Sequence, residues 1–255
     1  MSTIKTPKEI EILREGGKVL AQIIEEVSSM VKPGVSTFDL NKRADDLIKK
    51  AGGRASFRNY KPKGNKTSYP ASLCVSINDE VVHAIPSKNK TLYDGDIVGI
   101  DLGMEYKGLY TDMAVTLPVG EISDEAKKLI DTTKKSLELG IKAIKNGGFI
   151  GDIGFAVQQY AEGQDFSVVR DLVGHGVGHK VHEEPMVPNY GKRGTGEKLK
   201  TGMVLALEPM INIGTFNVTV DDDTWTIRTA DNSLSAHFEH TVVVTDKGVE
   251  VLTKI

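Results

Sequence analysis

Apolar residues at Ile10, Leu13, Leu20, Ile23, Ile24 and Val27 follow the three-and-four spacing that gives a helix one buried face. The residues just before them, Thr6-Pro7-Lys8-Glu9, form a capping-box pattern with proline at the first helical position. The spacing predicts a helix over residues 6–30, ended by Lys32-Pro33-Gly34, and a shorter one over 37–50, closed by Gly52-Gly53. The same order returns later in the chain. Ala126, Leu129, Ile130, Leu137, Ile141 and Ile144 mark a long amphipathic helix over 123–145 that stops at Asn146-Gly147-Gly148, and a short one over 152–161 stops at Gly163. Each helical pair precedes a β-rich stretch, so the pattern predicts an internal duplication joined near residues 118–123.

Strands are predicted over 73–77, 96–102, 110–117, 203–211, 225–229 and 237–245, which are rich in Val, Ile and Thr with turn residues between them. No low-complexity linker divides the halves. The expected architecture is a single α+β domain over residues 1–255, its two halves sharing one sheet core. Within it, Asp96 to Leu117 reads as a hairpin turning at Lys107-Gly108. Counting outward from that turn pairs Tyr106 with Leu109 and Gly103 with Asp112. Asp101 then shares a face with Asp112 as its diagonal neighbour, roughly 7 to 8 Å away.

Composition narrows the chemistry. A net charge of -3 over 255 residues offers no global footprint for nucleic acid. No stretch has the length and apolarity of a membrane span, and the charged N-terminal segment lacks a signal-peptide core. A single cysteine rules out an internal disulfide and a cysteine-based zinc site. The expected location is the cytoplasm.

Against that background the acids stand out. Glu208 in MVLALEPMI and Glu239 in SAHFEHTVVV lie inside apolar runs, where a charge needs a partner or a metal. Together with Asp101, Asp112 and an imidazole they form an oxygen-rich donor set suited to one or two divalent ions such as Mn(II), Fe(II), Co(II) or Zn(II). Such ions activate water and polarise a carbonyl, so hydrolysis is the natural reaction. The imidazole comes from VGHGVGHKVHEEP, residues 173–185. His175, His179 and His182 would align on a helix, but Gly174, Gly176 and Gly178 each cost about 1 kcal/mol there relative to alanine. The intervening valines favour extended chain. In an extended segment 175 and 179 share one face and 182 takes the other, unless a turn or bulge intervenes.

Taken together, SLCVSINDEVVHAIP at 72–86, IDLG at 100–103, YTDMAVT at 110–116, GHGVGHKVHEEP at 174–185, LALEP at 205–209 and FEHTVVV at 238–244 resemble the type I methionine aminopeptidases. The resemblance runs over nearly the whole chain. It implies the pita-bread fold, two pseudo-symmetric halves around a dinuclear metal centre. By motif, it implies Asp101, Asp112, His175, Glu208 and Glu239 as metal ligands and His83 and His182 as catalytic histidines that bind no metal. It also implies Glu208 as the proton shuttle for a metal-bridged hydroxide, and removal of the initiator methionine from nascent polypeptides whose second residue is small.

Tyr69, Cys74 and Trp225, with His83 and His182, match substrate-binding positions, while His179 is expected to be structural. His237 and His240, flanking Glu239, are expected to face away from the metals or to support their ligands. Two features depart from the family pattern: Val181 stands where some members carry an aromatic residue, and the segment 54–70 is longer and more basic. Proline-specific aminopeptidases share the fold but usually carry an added N-terminal domain, for which a chain opening directly on its first helix is expected to have no room. The expected state is a monomer, with the ribosome near its exit tunnel as a candidate meeting place for substrate.

Overall fold

The computed structural model describes residues 4–62 and 66–255; residues 63–65 of the basic segment lie outside the described part. Four helices form, α1 (Pro7–Ser28), α2 (Thr37–Lys50), α3 (Asp124–Ala143) and α4 (Ile150–Glu162). Thr6 caps α1 through its hydroxyl, and the Glu9 carboxylate accepts from the Thr6 backbone N–H, completing the expected capping box. The strands are β1 (Arg54–Ala55), β2 (Cys74–Ile77), β3 (Glu80–Val82), β4 (Ile97–Tyr106), β5 (Leu109–Pro118), β6 (Ser167–Val168), β7 (Gly174–Gly176) and β8 (Glu183–Val187). The chain then continues through β9 (Val204–Leu207), β10 (Met210–Asn212), β11 (Val218–Val220), β12 (Ile227–Thr229), β13 (Ser235–His237), β14 (Glu239–Thr245) and β15 (Gly248–Val251).

Nine strands make one antiparallel sheet, whose central path runs β1-β4-β5-β14-β9-β7-β8 and so joins strands from both halves of the chain. Its two faces follow the period-two rule of an extended chain. In β4, Val98, Ile100, Leu102 and Met104 are buried in one core with Leu20, Ile24 and Val27 of α1 and Leu40, Ala44 and Ile48 of α2. In β9 and β14, Leu205, Leu207, Val242 and Val244 join Leu137 of α3 and Ile150 and Ile153 of α4 in a second core. Each such side chain contributes roughly 1.5 to 3 kcal/mol by leaving water. The helices therefore cover one face of the sheet, and the odd positions of β4 and β14 point to the other.

Two expected strands are broken. The predicted strand over 203–211 divides into β9 and β10 at Glu208-Pro209, and the one over 237–245 begins afresh after Phe238. At the first the chain leaves the nine-stranded sheet for a three-stranded one, β13-β10-β6, and at the second it returns from that sheet to the larger one. Proline has no N–H for a ladder and restricts the residue before it, which places the first break. The predicted strand 225–229 also shortens to β12, leaving Trp225 in a loop.

Candidate metal centre and substrate cavity

The β4–β5 hairpin turns where the sequence places it. Lys107 and Gly108 have φ of 51° and 86°, as a two-residue turn with both central residues left-handed requires. Tyr106 pairs with Leu109 and Gly103 with Asp112, the expected register.

That register extends across the sheet into two rows of residues. In the first, Cys74 opposes Asp101, Asp101 opposes Ala114, and Ala114 opposes Glu239. In the second, Gly103 opposes Asp112, and Asp112 exchanges hydrogen bonds with Thr241, whose hydroxyl accepts from the Asp112 N–H at 2.9 Å and donates to its carbonyl at 2.8 Å. Thr241 opposes Ala206, Ala206 opposes His175, and His175 opposes Met186. Directly opposed residues project from the same face. Asp101, Asp112, His175 and Glu239 therefore share one face, with the small side chains of Ala114 and Ala206 between them. Candidate ligand atoms of Asp112, His175 and Glu239 lie within 4.8 Å of one another. Glu208 reaches the group from the β9–β10 break, its Oε1 3.4 Å from His175 Nε2. All five expected ligands come together around one cavity of about 290 Å³.

Burial pushes the Asp101 carboxyl up to about 7 and those of Asp112, Glu208 and Glu239 well above their ordinary range, with the neighbouring carboxylates adding to the last three. Asp101 Oδ1 and Glu239 Oε1 are buried with no hydrogen-bond partner. Buried carboxylates without cationic partners are costly, and converging oxygens plus one imidazole form the donor set that divalent cations satisfy. The residues fit metal binding.

The histidines divide by position. A turn after β7 brings His182 back over His175 with ring centroids 4.4 Å apart, so the extended reading that put 175 and 179 on one face gives way to a loop. The glycines permit it, because Gly178 adopts φ 137°. His179 turns outward, its Nε2 2.7 Å from Glu9 Oε1 at the start of α1. Glu9 falls to about 2, held there by the Thr6 backbone N–H and then by His179. His83 lies at φ 60°, a conformation that costs a non-glycine residue of order 1 kcal/mol or more and recurs at functional sites. Burial lowers His83 and His182 to about 4 and His175 to about 3, so all three imidazoles are neutral at pH 7. His237 does not face away: it is buried with Nε2 3.7 Å from Glu208 Oε2. His240 points to the Thr253 hydroxyl at 2.9 Å.

Tyr69, Cys74 and Trp225 line the same cavity as the acids, along with Phe57, Tyr60 and Pro62. The last three escape a motif-based reading because they belong to segment 54–70, which lies outside the matched motifs. The aromatic residues Phe57 and Tyr60 are the signal that was there to be used. Tyr60 carries its hydroxyl to 2.6 Å from His182 Nδ1, and Trp225 Nε1 donates to Thr67 at 3.2 Å, tying the segment to the cavity wall. Val181 packs with Phe57, Tyr69, Cys74 and Trp225 in a small apolar cluster. A larger cavity of about 610 Å³ opens outward from the inner one and shares His83, His175, His182 and Glu208 with it.

A curled antiparallel sheet backed by four helices, with four carboxylates and an imidazole converging on its open face, is the architecture of a pita-bread metallopeptidase. The chain belongs to metallopeptidase family M24, whose model matches residues 11–246. Full-length relatives include methionine aminopeptidases. That of Clostridium acetobutylicum is 46% identical over 99% of both chains, and methionine aminopeptidase 1 of Bacillus subtilis is 45% identical over 100% of both. The crystal structure of methionine aminopeptidase from Thermotoga maritima superposes with a TM-score of 0.96 at 44% identity, covering 100% of each chain.

Proposed function

We propose that this protein is a metal-dependent aminopeptidase that removes the initiator methionine from new polypeptides whose second residue is small. The observation that carries the reading is the juxtaposition of five candidate metal ligands with a cavity of about 290 Å³ whose remaining wall is largely apolar and aromatic. Asp101, Asp112, His175, Glu208 and Glu239 would hold two divalent ions, drawn from Co, Mn, Fe and Zn. Bound there, such ions polarise a carbonyl and bring the pKa of water down to about 7.

The chain's own residues supply the rest. Phe57, Tyr69, Cys74 and Trp225 enclose the methionine side chain and exclude water. Glu208, at the opening shared by the two cavities, takes the proton of the attacking water and returns it to the leaving amine. With the Tyr60 hydroxyl donating to Nδ1, neutral His182 keeps its proton on Nε2 and donates it to the developing oxyanion. His83 holds the peptide nitrogen. Both rings stand where the second residue must pass, which favours a small one.

The reading takes residues 1–255 as one catalytic unit with an internal pseudo-repeat joined near 118–123, acting as a monomer in the cytoplasm on chains leaving the ribosome. Among the described residues, no helix is long and apolar enough to cross a membrane.

Purified protein incubated with Met-Ala-Ser and with Xaa-Pro peptides, with and without Mn(II) or Co(II), tests the class. Methionine release that depends on metal is expected. Cleavage of Xaa-Pro bonds without methionine release would overturn it.

A further inference from the structure

A polypeptide held by its first residue in the inner cavity must run outward, and the structure shows where. The row of residues that carries Asp112 and His175 ends on β8, where Met186 opposes His175. Met186 therefore projects from the same face as the metal-binding side chains, one strand spacing away, or roughly 5 Å. It is an apolar side chain left 65% exposed. Beyond it lies a further cavity of about 340 Å³, bounded by Ile150 and Gly151 at the start of α4 and by Pro188 and Tyr190. Glu184 and Met186 line both this cavity and the large outer one. The outer cavity therefore borders the catalytic cavity on one side, at His175 and His182, and this groove on the other, at β8.

The groove's electrostatics differ from those of the catalytic cavity. Glu184 is exposed, and its carboxylate has no hydrogen-bond or ion-pair partner among the described residues. Glu197 also lines the groove but is already engaged. Lys180 lines only the outer cavity, and no lysine or arginine lines the groove. A free carboxylate beside an exposed methionine and a half-buried proline and tyrosine, the latter with Arg170 over its ring at 5.7 Å, suits an extended peptide with cationic and apolar side chains. At ~3.3–3.6 Å per extended residue, a chain starting beside His175 reaches Met186 within a residue or two of the cleaved bond.

Building on the reading of function above, we propose that the β8 groove is a binding site for the substrate segment that follows the second residue, and that Glu184 gives it a preference for a basic side chain. The site selects among nascent chains by sequence beyond the small second residue. Its contribution is an exposed charge pair, so the expected preference is roughly three- to fivefold and weakens with salt.

Hexapeptides beginning Met-Ala, with a single Lys or a single Glu moved through the third to sixth positions of an otherwise Gly-Ser frame, provide the test. They are compared by kcat/KM on the metal-loaded enzyme at low and high salt. At one position or more, Lys is expected to exceed Glu by that factor, and Glu184→Lys is expected to reverse the order there. Met186→Lys, at an exposed side chain, is expected to shift the same ratio in the same direction, which keeps the test independent of any folding defect in Glu184→Lys. Equal handling of Lys and Glu peptides at every position, or a preference that both variants leave intact, overturns the groove while metal-dependent release from Met-Ala-Ser leaves the functional reading standing. Failure to release methionine from Met-Ala-Ser overturns both.

Discussion

His175 and His182 touch ring to ring, yet only one stands in the row of candidate metal ligands. His175 is fixed by β7 between Ala206 and Met186, while His182 hangs from a loop and is steadied by Tyr60. Their substitutions should separate. His175→Ala should strip metal, read by elemental analysis of the purified protein. His182→Ala should retain metal and lower kcat by about 10²–10³-fold, the usual cost of one oxyanion donor. Equal loss of metal in both variants would contradict this division of roles. The glycines between the histidines made their separate fates readable, since they exclude a helix. The Glu9 partner of His179 was not readable, because it arises from a contact between distant parts of the chain.

At the scale of elements, the β4–β5 hairpin was legible because its turn is local chemistry: a left-handed Lys107-Gly108 pair admits a single register, and that register sets Asp101 diagonal to Asp112. The breaks in the later strands were not legible, since MVLALEPMI and SAHFEHTVVV read as continuous apolar runs. Each run changes sheets at a glutamate, Glu208 leaving β9 and Glu239 entering β14, so the acids sit where the backbone is redirected by tertiary pairing. The hairpin itself yields a prediction. A Cβ at Gly103 would lie 2.1 Å from Ser56 Oγ, 2.9 Å from Phe57 Cε1 and 3.2 Å from Asp112 Oδ1. Gly103→Val should cost about 1 to 3 kcal/mol by overpacking and weaken metal retention by displacing Asp112. Thermal denaturation with parallel metal analysis checks both. At the start of α1, Thr6→Ala should cost about 1 kcal/mol through the lost cap, measured by urea titration.

For the whole molecule, the metal-free form carries two opposing titrations. His83, His175, His182 and His237 have folded pKa values below 6.5, so the folded state binds fewer protons and their contribution is lost as pH falls below that value. Asp101, Asp112, Glu208 and Glu239 have raised folded values, so the folded state binds more protons and their contribution is lost as pH rises. Just above pH 6.5 the unfolded histidines shed their last protons, a smaller and opposing change to that of the four cavity carboxylates, which keep titrating over this range. The Tm of chelator-treated protein should therefore fall between about pH 6.5 and 8. Saturating Mn(II) should abolish the fall and raise Tm, by about 2.7 kcal/mol of stabilisation at a hundredfold excess over Kd. A metal-free Tm that climbs across this window would refute the assignment of raised carboxylate values.

Cys74 opens the first row of the sheet, opposite Asp101, and burial with that carboxylate beside it holds the thiol protonated. As the single sulfhydryl of the chain, it is a built-in occupancy gauge. Because its thiol lines the inner cavity, the rate at which a small reagent alkylates the native protein at alkaline pH, where the thiolate forms, reports whether that cavity is filled. A methionine-containing product should slow alkylation, glycine should not, and mass spectrometry of the intact chain reads the difference without any dependence on turnover.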